Sequence, residues 1–208
     1  MAQYFVTGIG TEIGKTVCSA IVVEALQADY WKPVQAGELD HSDTHKVQAL
    51  ISNSKSIFHP ESYRLKAPMS PHAAAKLDNT EINLLDIIPP KTQNHLIVEG
   101  AGGLHVPLND KDLIIDLIQH LKVETILVSK NYLGSINHTL LSIEALQHRK
   151  IPIKGIIFNG EPNKETESII EYRTGLTVLG RVPLIEKVDQ HFIKRQAVLL
   201  NQYLTLNI

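Results

Sequence analysis

The sequence predicts an α/β fold of three layers, a mostly parallel sheet flanked by helices on both faces. Two observations predict it. Short apolar runs rich in β-branched residues recur at 4–9 (YFVTGI), 95–101 (HLIVEGA), 124–130 (ETILVSK) and 154–160 (KGIIFNG), each continuous rather than alternating. Strands buried on both faces read this way, as they do in a parallel sheet covered by helices. Between and after these runs lie segments with helical spacing, so strand and helix alternate along the chain.

Taken in order, the run at 4–9 leads into a predicted helix over 14–28 (GKTVCSAIVVEALQA). A second strand is expected to end in WKPVQAG at 31–37. Residues 37–94 break the rhythm: they hold five of the ten prolines and no glycine between Gly37 and Gly100. They are expected to form an excursion over the active face with two short helices, near 42–51 and 70–78, and no separate core. The strand at 95–101 then precedes a helix over 112–122, and the strand at 124–130 a helix over 135–150. After the strand at 154–160, KETESIIEYR at 164–173 reads as a helix with a solvated face of mixed charge. TVLGRVPLI at 177–185 reads as the last strand and turn, and 189–204 as a closing helix.

With 208 residues, 43% of them hydrophobic and 20% charged, the chain is expected to form one globular domain over 1–208. A domain of this size buries about 70% of the surface that its unfolded chain exposes. The 22 acidic and 20 basic residues lack the electrostatic footprint of a nucleic-acid binder, so small-molecule ligands are expected. Cys18 is the single cysteine, which excludes an intrachain disulfide and a thiolate metal cluster within one chain. The start, MAQYFVTG, lacks the basic and long apolar regions of a signal peptide, and no stretch of about 18 apolar residues is present to span a membrane. A cytoplasmic location is the expectation.

VTGIGTEIGKT at 6–16 follows the first strand and opens the first helix. This is the context that makes a phosphate-binding loop of the GxxxxGK[ST] type meaningful. Unpaired backbone N–H groups at the helix start suit a phosphate, Lys15 would neutralise it, and the Thr16 hydroxyl is placed to ligate Mg²⁺. The leading glycine of the pattern is replaced by Ile9, with Gly8 and Gly10 on either side. Glu12 within the loop would repel a triphosphate, so it is expected to turn toward a cationic ligand or a structural hydrogen bond.

In a parallel sheet, ligands bind beyond the carboxyl ends of the strands. WKPVQAG brings Lys32 there, and VEGAGG brings Glu99, a carboxylate suited to Mg²⁺, followed by a glycine-rich turn. Asp43 is either a further metal ligand or a helix-start carboxylate. In LGSINH, Gly134 and Ser135 lead into a helix whose free N–H groups can hold an anion, although the residues alone read as an ordinary serine cap. Asn159, ending its strand, offers both donor and acceptor to a base edge. His41 and His45, with Asp43 between them, mimic a metal site, but no third ligand has a helical partner and zinc requires three or four that converge; Cys18 reads as a core residue.

These stretches, VTGIGTEIGKT, WKPVQAG, Ser42–Asp43, VEGAGG, LGSINH and FNG at 158–160, occur in the order that resembles the dethiobiotin synthetase family of the P-loop NTPase superfamily. The resemblance runs from residue 4 to about 185. It implies a cyclo-ligase that converts 7,8-diaminononanoate, CO₂ and MgATP to dethiobiotin, ADP and phosphate. One amine takes up CO₂ as a carbamate, ATP phosphorylates it, and the second amine attacks the mixed anhydride. By position match, Thr16, Asp43 and Glu99 would hold Mg²⁺, while Lys15, Lys32 and Thr11 would form the catalytic set. Gly10, Thr11, Glu12, Ile13, Gly14, Lys15, Thr16 and Val17 would embrace the nucleotide phosphates, with Asn159, Pro183, Leu184 and Glu186 near the adenine. Thr11, Glu12, Lys32 and Gly102 would face the diamine. The resemblance also implies a homodimer in which Gly134, Ser135, Ile136 and Asn137 receive the substrate carboxylate across the interface. Ala36 stands where family members often carry a hydroxyl, and Ile9 where threonine is common.

The alternative is a nucleotide-driven switch or positioning ATPase of the same superfamily. Those proteins often carry an extra lysine early in the loop, where this chain has Gly10. SKNY at 129–132 does not supply the base-reading motif of a GTPase. An amide-forming synthetase with a glutamine-hydrolysing domain would be longer.

Overall fold

The computed structural model describes residues 1–205. β1 (Gln3–Gly8) lies at the middle of a seven-stranded sheet, between β6 (Leu96–Gly103) and β7 (Glu124–Lys130). Beyond β6 come β2 (Asp29–Trp31) and β4 (Phe58–His59); beyond β7 come β8 (Ile153–Asn159) and β9 (Val178–Val182). All neighbouring strands are parallel, so every strand of this sheet delivers its carboxyl end to the same edge.

The continuous apolar runs are explained by cores on both faces. Tyr4 and Val6 of β1 pack in a core with Cys18 and Ile21 of α1 (Lys15–Leu26) and with Ile193, Ala197 and Leu200 of α7 (Gln190–Thr205). Phe5, between them, points to the opposite core with Ile114 and Ile118 of α4 (Ile114–Leu121). Leu127 and Phe158 join Ile143 of α5 (Ser135–His148) and Ile170 of α6 (Lys164–Thr174) in a third cluster. Fully burying one such side chain contributes about 1.5–3 kcal/mol, so a polar substitution at Phe5 would disrupt the sheet on which the phosphate loop stands. Among the described residues, no helix is long and apolar enough to cross a membrane.

The segment over 31–37 departs from expectation. It divides at Pro33, which has no N–H to give to a ladder: β2 ends at Trp31, and β3 (Val34–Ala36) pairs with β5 (Tyr63–Leu65) in a separate two-stranded parallel sheet. The excursion contains the two short helices, α2 (Asp43–Leu50) and α3 (Pro71–Leu77), but also β4 and β5, strands of two and three residues. Strands that short carry no readable periodicity. The mixed-charge helix α6 is likewise not solvated throughout. Glu167 is buried, accepting hydrogen bonds from Asn131 and the Asn163 backbone and pairing with Arg181 of β9.

Candidate active site

A cleft of about 730 Å³ opens at the carboxyl edge of the sheet, lined by the loop after β1, by Lys32, Gln35 and Asp43, by Glu99 and Gly102 of β6, and by residues 68–71 of the excursion. The loop is held from two sides. Gly14, in the left-handed region at φ 88°, caps α1, and a Cβ there would fall 2.2 Å from the Asn159 amide nitrogen. That closeness exists because Asn159 Nδ2 donates to the Ile13 carbonyl at 2.8 Å, tying the end of β8 to the loop. Asn159 therefore spends part of its amide on the loop and keeps its carbonyl oxygen for other partners. Ile13 is buried in the core, and Ile9 packs against the cores. The replacement at position 9 is thus accommodated by packing. Val17 is partly buried against the same core, while Thr11 and Glu12 are exposed at the cleft.

Lys15 arches back and donates from Nζ to the Gly10 carbonyl at 2.9 Å. Burial pushes its ammonium down to about 8, partly offset by the attraction of Glu99. Below that value it is a cation held close to the loop.

The floor of the cleft is a chain of alternating charges. The Thr16 hydroxyl donates to Glu99 Oε1 at 2.9 Å, and Lys32 Nζ lies 3.2 Å from the same oxygen and 2.6 Å from Asp43 Oδ2. Tyr30, unmarked by sequence reasoning because an aromatic in a strand reads as core, donates its hydroxyl to Glu99 Oε2 at 3.0 Å. Lys32 and Glu99 are only 4% and 1% exposed, so each needs the other: an unpaired buried charge costs several kcal/mol, of order 3–5. Burial pushes the Lys32 ammonium down, but Glu99 and Asp43 outweigh it and leave the group raised. Burial raises the Asp43 carboxyl, and Lys32 and Lys46 overcome that to hold it below the usual range.

Two carboxylates and a hydroxyl form an all-oxygen donor set, the kind that suits Mg²⁺, which takes few protein ligands and completes its shell with phosphate and water. Lys32 takes up Oδ2 of Asp43 and Oε1 of Glu99, so an ion here would share both carboxylates with its ammonium. Thr16, Asp43 and Glu99 fit such an ion. No group of three or more His, Cys, Asp and Glu residues suited to a metal occurs among the described residues, and the His45 ring instead accepts from the Ser42 backbone in a helix cap.

Gln35 cannot stand in for a hydroxyl at Ala36 as it is placed: its nitrogen donates to the Gly37 carbonyl and its oxygen accepts from the Asp43 backbone. Gly102 sits at φ 69° with its Cβ direction 3.6 Å from the Thr11 hydroxyl, which brings the turn after Glu99 against the phosphate loop. Pro183, Leu184 and Glu186 follow β9, whose Val182 pairs with Asn159.

The start of α5 lies apart. Gly134, at φ 101°, caps the helix, and Ser135 is buried with its hydroxyl accepting from the Tyr132 backbone. Gly134, Ile136 and Asn137 line a separate cavity of about 760 Å³ with Asn131, Glu161 and Asn163. Within one chain the structure does not bring them to the cleft.

Comparison with known proteins agrees with this architecture. The profile of a family described as AAA domain matches residues 2–191. The chain is 53% identical to the ATP-dependent dethiobiotin synthetase BioD of Christiangramia forsetii over 94% of each chain. It is 52% identical to the enzyme of the same description from Cytophaga hutchinsonii, over 96% of this chain and 97% of that one. Among solved structures, a plasmid partition protein from Borrelia burgdorferi superposes with a TM-score of 0.60 at 13% identity, covering 99% of this chain and 98% of the other, a likeness of fold alone.

Proposed function

This chain belongs to the dethiobiotin synthetase family, and from that premise we propose that it closes the ureido ring of dethiobiotin from 7,8-diaminononanoate, CO₂ and ATP, releasing ADP and phosphate. The observation that carries the reading is the convergence on one cleft of a phosphate loop, two buried lysines and an oxygen-donor corner, with Thr11 and Glu12 at the same opening.

In this reading the protein works by positioning and charge neutralisation, as phosphoryl transfer requires. The loop N–H groups from Gly10 to Val17 and the Lys15 ammonium bind the nucleotide phosphates. Lys32, fixed by Asp43 and Glu99, directs its remaining donor capacity at the carbamate oxygens and at the phosphoryl group as charge develops on them. Thr11 and Glu12 orient the diamine, with Gly102 allowing it a close approach to the backbone. Mg²⁺, held by Thr16, Asp43 and Glu99, would supply charge neutralisation for the phosphates. Asn159 with Pro183, Leu184 and Glu186 receives the adenine, with the Asn159 carbonyl oxygen as acceptor.

The substrate carboxylate is assigned to Gly134, Ser135, Ile136 and Asn137 of a second copy in a homodimer. Support for this comes from the separation of the α5 start from the cleft and from the exposed apolar side chains of Leu133, Ile136 and Leu141 around it. Purified protein with MgATP is expected to release phosphate only when diaminononanoate and bicarbonate are both present. Equal release without the diamine would favour a nucleotide switch and overturn the synthetase reading.

A further inference from the structure

Lys46 belongs to none of the groups assigned to nucleotide, diamine or metal. It stands three residues beyond Asp43 on α2, at the lip of the cleft, with its side chain 43% exposed. Its ammonium is shared between two carboxylates, 2.5 Å from Glu38 Oε2 and 3.4 Å from Asp43 Oδ1. Glu38 lies in the turn after Gly37 with a left-handed backbone, φ 52°, which aims its side chain across the lip toward α2.

Asp43 is therefore approached by ammonium groups from both sides, closely by Lys32 on Oδ2 and loosely by Lys46 on Oδ1. A carboxylate clamped by two cations is a poor ligand for a third, because the newcomer meets repulsion and must displace a partner. The two contacts are unequal: Lys46 sits closer to Glu38 and keeps a longer hydrogen bond to Asp43.

We propose that Glu38 and Lys46 are a pair of positioning residues that set the cation affinity of the cleft, Glu38 limiting the hold of Lys46 on Asp43 to one long hydrogen bond that a divalent ion can displace from Oδ1. The inference rests on the assignment of Asp43 to Mg²⁺ made above. Both residues act through Asp43 and touch no reacting atom. Because the pair is half-exposed, its effect is modest, about threefold in affinity, and raising salt diminishes it.

The test is a double-mutant cycle read by calorimetry, with Mg²⁺ titrated into the full-length protein saturated with ADP. Glu38→Gln is expected to weaken Mg²⁺ binding about threefold, since Lys46 then closes on Asp43. In a Lys46→Met background the same change is expected to have no effect. An equal weakening in both backgrounds would mean that Glu38 acts by its charge alone and would overturn the inference, as would unchanged affinity in Glu38→Gln. Asp43→Asn separates the two layers of argument. Loss of Mg²⁺ affinity there, with an additive cycle, rejects only the role of the pair; unchanged affinity rejects the metal assignment and the inference with it.

Discussion

The floor of the cleft and the start of α5 are both strand ends followed by helix starts, yet they are built in opposite ways. At the cleft floor, Thr16, Tyr30, Lys32, Asp43 and Glu99 are interlocked by direct contacts, and the central charges are almost fully buried. At the start of α5, Ile136 and Asn137 are exposed, and Ser135, drawn inward, serves its own turn. The first site is complete within one chain and carries its own counter-charges. The second exposes the start of its helix with no counter-charge of its own, as the half-site proposed above requires.

The largest effects should come from breaking the complete half. Lys15→Ala and Lys32→Ala are each expected to lower turnover by about 10²–10³, the range found when one charge-stabilising donor is removed. They should differ in stability. Among the described residues, the Lys15 ammonium bonds the Gly10 carbonyl alone, so its removal should leave the melting temperature nearly unchanged or raised. Removing Lys32 leaves Asp43 and Glu99 facing each other and should cost about 3–5 kcal/mol. Steady-state phosphate release measured beside thermal melts decides this; equal stability of the two variants would contradict the interlocked floor.

The half-site is tested by complementation. Lys15→Ala and Asn137→Asp proteins, each inactive alone, are mixed and allowed to exchange subunits. If the cleft of one copy uses the α5 start of the other, half the dimers are mixed and each regains one of two sites, giving about a quarter of wild-type turnover. No recovery after verified exchange would confine the site to one chain.

A smaller effect concerns pH. Because the Lys15 ammonium is lowered to about 8, ATP affinity should fall, by up to about tenfold per unit, as pH rises through that value and the cation is lost. Stability runs the other way. The lowered group penalises the folded state below pH 8, and the penalty is relieved between about 8 and the usual lysine value of 10.5, where the unfolded chain binds the extra proton. Lys15→Met should flatten both profiles, and a persisting affinity step would assign the titration elsewhere.

The smallest change is Tyr30→Phe. It removes one of the hydrogen bonds to Glu99 and should cost about 1–3 kcal/mol of stability with the catalytic charges all retained. A denaturant melt that is unchanged would show that the hydroxyl adds nothing to the floor.

Legibility followed the range of the interactions. The phosphate loop could be read because Gly14, Lys15 and Thr16 are adjacent and need only a strand before and a helix after. Lys32 was legible as the residue just past a strand and Asp43 as a helix-start carboxylate of two meanings, whereas Glu99, expected at a strand end, lies inside β6 because the strand continues through its glycines to Gly103. Tyr30 and Lys46 were not, since nothing local distinguishes a tyrosine that reaches a carboxylate from one that fills a core, or a lysine that shields a ligand from one on a solvated face. The strands β4 and β5 escaped for the same reason, being too short to show a period. The fold neighbours carry a related lesson: a plasmid partition protein shares the scaffold at 13% identity, so the scaffold alone does not choose the function, whereas matches above 50% along nearly the whole chain show the family.

By itself the sequence determined the α/β class, the order of its main elements and the chemical nature of the groups at each strand end, because hydrophobic period, turn residues and helix-start signals act over a few residues. Only the tertiary structure decided that Thr16 meets Glu99 across 83 positions and Lys32 meets it across 67, that Asn159 ties itself to the loop, and that the α5 start stands apart from the cleft. Those outcomes depend on strand order in the sheet. That order is set by which faces pack together and how parallel strands cross over, a sum of distant contacts that no local stretch of sequence contains.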